Sequence, residues 1–203
     1  MNPFDRFLAS ALETVIRKEL GQRTFKKVEK RIFEKYNLKI GDAVKSFHEI
    51  DAVLREYFGK GADKIEKQFL DSIIGQKKEE SNAWITIYDQ KLTALILESF
   101  GDPEKKKILE QSFKQPHSIT SVLETCDIPK TSGYRITKDL IENGLLVKTS
   151  DEFTKDGRNV GIYASLFKRV KIDIESDNLS VQVQMRSDFL KTSNIINALR
   201  TIK

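Results

Sequence analysis

The sequence predicts an α+β fold, mostly α: a small helical domain, then three helices closed by a β-hairpin, then a C-terminal helix. Three observations predict it. Apolar residues recur at three- and four-residue spacing over the first 76 positions. Three short helical segments with capping residues and a tight link follow Gly101. After Gly144 the apolar pattern changes to alternation, with a strong hairpin signal at Asp156-Gly157.

Length and charge set the limits. The 203 residues suffice for one large domain or two small ones. Thirty-five basic against 30 acidic residues leave a net charge of +5 and a pI near 9.1, which permits nucleic acid as a partner without requiring it. Up to Glu80 the chain has 17 basic and 14 acidic residues, and after it 18 and 16, so neither half is a basic arm. Any nucleic-acid face must come from the placement of charge. The single cysteine, Cys126, excludes an internal disulfide, and the lack of an apolar leader or a long apolar stretch predicts a cytoplasmic protein with no membrane partner.

In the first part, Phe4, Phe7, Leu8, Ala11, Leu12, Val15 and Ile16 draw one apolar stripe along a helix that stops near Gly21. A second helix, Thr24 to Tyr36, sets Phe25, Val28, Ile32 and Phe33 against a basic face of Lys26, Lys27, Lys30 and Arg31. Glu29 and Glu34 intersperse that face, so it reads as solvated rather than as a phosphate contact. Further helices are expected over Asp42 to Phe47, over Glu49 to Phe58 with Ile50, Val53, Leu54 and Tyr57 inward, and over Ala62 to Ile74. The polar stretch GQKKEESN marks a linker at 77–83, dividing a helical domain at 1–76 from a second domain at 84–186. A short strand over Ala83 to Tyr88 and a helix over Gln90 to Phe100 open that second domain. Trp84, Tyr88 and Phe100 are expected in the core rather than around a ligand.

Helices then follow at Pro103 to Phe113, with Asp102 as N-cap, at Ser118 to Glu124, and, after the link CDIP, at Lys130 to Asn143. In the third, Ile136, Leu140 and Ile141 face inward, while Thr131, Arg135, Lys138 and Glu142 form the opposite stripe. Hydroxyls near a helix N-terminus, with Arg and Lys beyond them, are what a helix entering the DNA major groove needs. Strands from Leu145 to Lys148 and from Ile162, with Lys155 and Arg158 flanking the turn, make a basic wing. The order is that of a winged helix-turn-helix. A second hairpin is expected from Val170, Ile172 and Ile174 to Leu179, Val181 and Val183, turning at Ser176-Asp177-Asn178.

The segments KKKILEQSF, SITSVLETCDIPKTSGYRITKDLIENGLL and YASLFKRVKIDI resemble the archaeal winged helix-turn-helix transcriptional regulators, broadly similar to the ArsR-like group, over Trp84 to Arg186. The resemblance implies binding of double-stranded DNA through Lys130, Thr131, Ser132, Tyr134, Arg135 and Lys138, with Lys155 and Arg158 on the wing. Cys126 has no second cysteine or nearby histidine to complete the thiolate set of the metal-sensing members, so no metal is expected. LETVIRKELG, FEKYNLKIGDAV and LREYFGKGADKIEKQFL are similar to a small helical output domain of ammonia-oxidising archaea, which implies a separate domain for a protein partner.

Other chemistry finds little support. Cys126, beside Val122 and Leu123, reads as a buried structural thiol, and His48 and His117 as turn or surface residues. No carboxylates stand at catalytic spacing and GKGAD lacks the positions of a phosphate-cradling loop, so neither an enzyme nor a cofactor is expected. A stripe like Thr131, Arg135 and Lys138 is by itself an ordinary solvated face, and the turn and the wing decide for DNA. The alternative is a winged helix that docks a protein, its apolar patch formed by Tyr134 with Phe189, Leu190, Ile195, Ile196 and Leu199. The same terminal segment, 187–203, is otherwise expected to pair two copies into a homodimer.

Overall fold

Helix α1, Pro3–Tyr36, runs along the core and bends once, at Gly21, whose φ of 68° and ψ of 158° interrupt the helical backbone. In this computed structural model residues 2–45, 47–76, 84–153, 156–176, 178–186, 188–189, 192–193 and 195 are described. The chain is α+β. Two antiparallel sheets, one of four strands and one of three, accompany the helices.

The expected apolar stripe of α1 is buried throughout: Phe4, Leu8, Ala11, Leu12 and Ile16 are inaccessible to solvent, and Phe7 and Val15 nearly so. Across the bend the Arg17 guanidinium lies 4.2 Å above the centre of the Phe25 ring, tying the two halves together. The shorter helices α2 (Ile40–Ala43), α3 (His48–Phe58) and α4 (Ala62–Asp71) pack against α1. The helix expected at Asp42 to Phe47 starts and ends earlier, because Phe47 takes a left-handed conformation with φ of 63° before α3. Two inward placements also differ. Phe33 is 55% exposed, since it lines a cleft of about 950 Å³ with Leu38 and Ile40, and Tyr57 is 47% exposed, its hydroxyl donating to the Lys27 carbonyl.

Ile74 belongs to a strand rather than to α4: β1 (Ile74–Gln76) pairs with β2 (Trp84–Ile87) across residues 77–83, the expected linker, which lie outside the described residues. Buried residues before and after that stretch form one continuous apolar cluster. Within it Phe7 meets Phe167 edge to face with ring centres 5.4 Å apart. Of the three aromatics expected in the core, Phe100 is half-buried and packs against it and Trp84 is half-buried, while Tyr88 is exposed, its ring over the bare backbone of Gly75, where an added Cβ would come within 2.4 Å of it.

After β2 come α5 (Gln90–Gly101), α6 (Pro103–Lys114), a two-residue strand β3 (His117–Ser118), α7 (Ile119–Thr125) and α8 (Lys130–Glu142). Then β4 (Leu146–Phe153) and β5 (Asn159–Ser165) form one hairpin, and β6 (Phe167–Glu175) and β7 (Asn178–Met185) another. The first is longer than the alternation predicted, since residues 148–153 are exposed on both faces and no core imposes a period there. Of the expected C-terminal helix few residues are described. Phe189 packs against the core and Ile195 is fully buried, so neither joins the exposed patch expected of them; Leu190, Ile196 and Leu199 lie outside the described residues. The Asn2 amide donates to the Phe189 carbonyl and Ser193 donates to the buried Asp5 carboxylate, holding this segment on the start of α1.

Glu66 of α4 is fully buried, and neither of its carboxylate oxygens has a hydrogen-bond partner among the described residues. Burial, and then the neighbouring Asp51, push its pKa from 4.5 up to about 8. Asp51 and Asp63 are themselves held by Arg55 at 2.7 and 2.6 Å. A carboxyl that binds its proton more tightly in the folded state stabilises the fold at low pH, and that stability is lost as pH rises from 4.5 to about 8. Urea midpoints measured across this window should fall with pH in the parent protein and stay flatter in Glu66→Gln. The shared core also predicts that Phe7→Ala lowers stability by about 3–5 kcal/mol. The fluorescence of Trp84, the single tryptophan, and the far-ultraviolet circular dichroism should shift together in that variant.

Candidate nucleic-acid interface

The position of α8 is determined at its second turn. Gly133 is buried against Leu123 of α7, and a Cβ there would stand 2.4 Å from a Leu123 methyl, so only glycine lets the two helices approach this closely. The link between them turns at Asp127, left-handed with φ of 56°, a conformation that the short polar side chain of aspartate tolerates. Ile128 then returns to the core, its amide donating to the Leu123 carbonyl at 2.9 Å.

Side-chain contacts clamp the helix along its length. Lys105 of α6 bridges Asp139 of α8 at 2.8 Å and Glu98 of α5 at 3.0 Å, and the hydrogen bond to Asp139 is foremost in raising the lysine's pKa. The Asn143 amide donates to the Asp139 carbonyl and carboxylate, closing the C-terminal end. The Tyr134 and Thr120 hydroxyls are 3.1 Å apart, and Lys130 lies 3.3 Å from Glu124. Ile136 and Leu140 are buried as expected, and Ile141 is half-buried against the core.

With the inner face committed, Thr131, Arg135, Lys138 and Glu142 are all exposed. Lys138 stands 3.8 Å from Glu142, an exposed pair that leaves the ammonium mobile and hydrated. Arg135 has no ion-pair partner among the described residues. The remaining residues of the set are partly engaged. Ser132 is half-buried and donates to the Pro129 carbonyl at 3.2 Å, and Tyr134 is 49% exposed with its hydroxyl turned to α7.

The β4–β5 hairpin follows α8 after Gly144, which has φ of 74° and where an added Cβ would stand 3.1 Å from the Phe7 nitrogen. Phe153 pairs with Asn159. Lys155 lies outside the described residues; Arg158 is exposed. The hairpin is mixed in charge rather than simply basic: Asp151 and Glu152 are exposed on β4, and Lys148 pairs with Asp151 at 2.6 Å. At the end of β4 Phe153 is 78% exposed. Sequence reasoning passed over it, although it is the one large apolar residue in the polar run TSDEFTKDGRN.

No protein-family model, curated protein or solved structure matches the chain. Among the described residues no group of three His, Cys, Asp or Glu side chains could hold a metal ion, and no helix is long and apolar enough to cross a membrane. Cys126 is half-buried rather than buried, at the exposed turn between α7 and α8, and burial still raises its thiol pKa. His48 is exposed at the start of α3, while His117 is half-buried in β3 with its Nε2 lacking a partner among the described residues.

The close approach of α7 and α8 yields a test. Gly133→Ala should cost about 1–3 kcal/mol through overpacking. Combined with Leu123→Ala it should cost less than the sum of the two single changes, because each then relieves the other. Additive losses in urea unfolding would mean that the two residues do not share the contact.

Proposed function

We propose that this protein is a DNA-binding transcriptional regulator in which residues 84–186 act as a winged helix-turn-helix, similar to the archaeal ArsR-like group. In this reading α8 lies in the major groove and the β4–β5 hairpin is the wing. The observation that carries it is the helix itself: α8 is pinned on one side through Gly133 and Asp139 and presents Thr131, Arg135 and Lys138 to solvent on the other. A rigid helix with an unengaged arginine fits direct readout, since the guanidinium matches the O6 and N7 acceptors of guanine. Lys130, Ser132 and Tyr134 at its N-terminal end, and Lys155 and Arg158 on the wing, then contact phosphates or an adjacent minor groove. Residues 1–76 serve a protein partner, the chain acts in the cytoplasm, and neither catalysis, cofactor nor metal enters.

A second reading is a winged helix that docks a protein rather than DNA. The exposed Phe153, flanked by Asp151 and Glu152, favours it, because carboxylates repel phosphates while an aromatic can anchor a protein interface.

Fluorescence anisotropy of the whole chain on duplex DNA across a salt series separates the two. Affinity should fall steeply with salt. Arg135→Ala should cost about 1–3 kcal/mol on a selected site and little on random duplex, whereas Lys138→Ala should weaken both and reduce the salt slope by about one. An absence of binding at low salt would remove the DNA reading, and Phe153→Ala would then be tested for loss of a protein partner.

A further inference from the structure

Strand β6 is the edge of its sheet: its inner side pairs with β7, and among the described residues no strand pairs with its outer side. Such an edge presents a row of free amides and carbonyls, and proteins usually protect it with charges that repel a second copy. The charges of β6 do the opposite. From Arg169 to Glu175 the strand reads Arg-Val-Lys-Ile-Asp-Ile-Glu. Laid antiparallel on itself about Ile172, it sets Arg169 against Glu175, Lys171 against Asp173, and Val170 against Ile174. Every opposed pair is complementary, in charge or in apolar character. Moving the axis by one residue breaks this, because Lys171 then meets Lys171, or Asp173 meets Asp173.

The apolar side of the strand points to the same event. Val170, Ile172 and Ile174 share a face with Val183, Val181 and Leu179, their partners on β7. Val181 and Val183 are fully buried, yet Ile174 is 74% exposed and Leu179 44%, so the far end of the hairpin overhangs the core. On the other face Lys171 and Asp173 are exposed and 3.4 Å apart within the strand, free to exchange partners across an axis.

We propose that β6 pairs antiparallel with β6 of a second copy of this chain, on a two-fold axis through Ile172, joining two four-stranded sheets into one. The pairing satisfies the edge backbone, covers Ile174, and makes two ion pairs of each kind across the axis. It does not rest on the nucleic-acid reading, and it uses a different element from the C-terminal segment, whose Phe189 and Ile195 pack on their own chain.

Sedimentation equilibrium on the full chain tests it, with circular dichroism to confirm folding. The parent protein should be dimeric. Lys171→Glu alone and Asp173→Lys alone should each weaken self-association by about tenfold or more, since like charges then face each other twice. Mixing those two variants should restore a dimer of one chain of each kind. The carboxylate introduced at position 171 of one chain then faces the ammonium introduced at position 173 of the other, and the native Asp173 faces the native Lys171. The double exchange, Lys171→Asp with Asp173→Lys, should dimerise by itself. A monomeric parent, charge variants that dimerise as well as the parent, or variants that fail to recombine on mixing would each overturn the proposal.

Discussion

The first turns of α1 hold the molecule together. Phe7 packs on Phe167 at the start of β6, its backbone runs beside Gly144 where α8 hands over to β4, and Asn2 and Asp5 hold the described C-terminal residues. One segment therefore touches the four-stranded sheet, the turn after α8 and the described C-terminal residues. A Cβ added to Gly144 would stand 3.1 Å from the Phe7 nitrogen, so no side chain fits between α1 and that turn. Dense packing of this kind transmits a shift of one element to the other.

A related constraint governs α8. The helix has one buried face, set by Gly133, Ile136 and Leu140, and one exposed face, and the bridge from Lys105 to Asp139 ties its side to α6. Lys105 is the most buried lysine in any of the described ion pairs, although its partners Glu98 and Asp139 are themselves exposed. Exposed pairs such as Lys138 with Glu142 have no comparable hold. The outcome is a helix anchored along one side whose outward cations stay exposed, the arrangement on which the proposed DNA reading rests.

Burial of charge is not confined to useful places. Glu66 sits in the core of the N-terminal helices with no hydrogen-bond partner among the described residues, while Asp51 and Asp63 take the nearby arginine. A protonated carboxyl is the state that this environment favours, so the N-terminal helices are held less firmly as the pH rises.

Much of this was legible in the sequence. Apolar spacing located most buried residues of α1 and α8, Asp102 and Ser118 marked helix starts that they do cap, and Gly21, expected to end a first helix before a second, is where α1 bends. These features are local, set by capping and periodicity within a few residues. The exposed stripe of α8 was also legible, since it follows from which face is apolar. What the sequence could not show depends on pieces far apart in the chain. The pairing of β3 with β5 joins residues 117–118 to 162–163, too short a strand to leave a pattern. Phe33 and Tyr57 satisfy helical spacing yet are about half exposed, at positions set by the packing of distant helices. Residues on both sides of the polar stretch at 77–83 contribute to one core, because hydrophobic burial acts between surfaces and takes no account of the chain between them. The palindromic charges of β6 were written in the sequence from the start, but only the strand order, which leaves that strand at an edge, gives them a meaning.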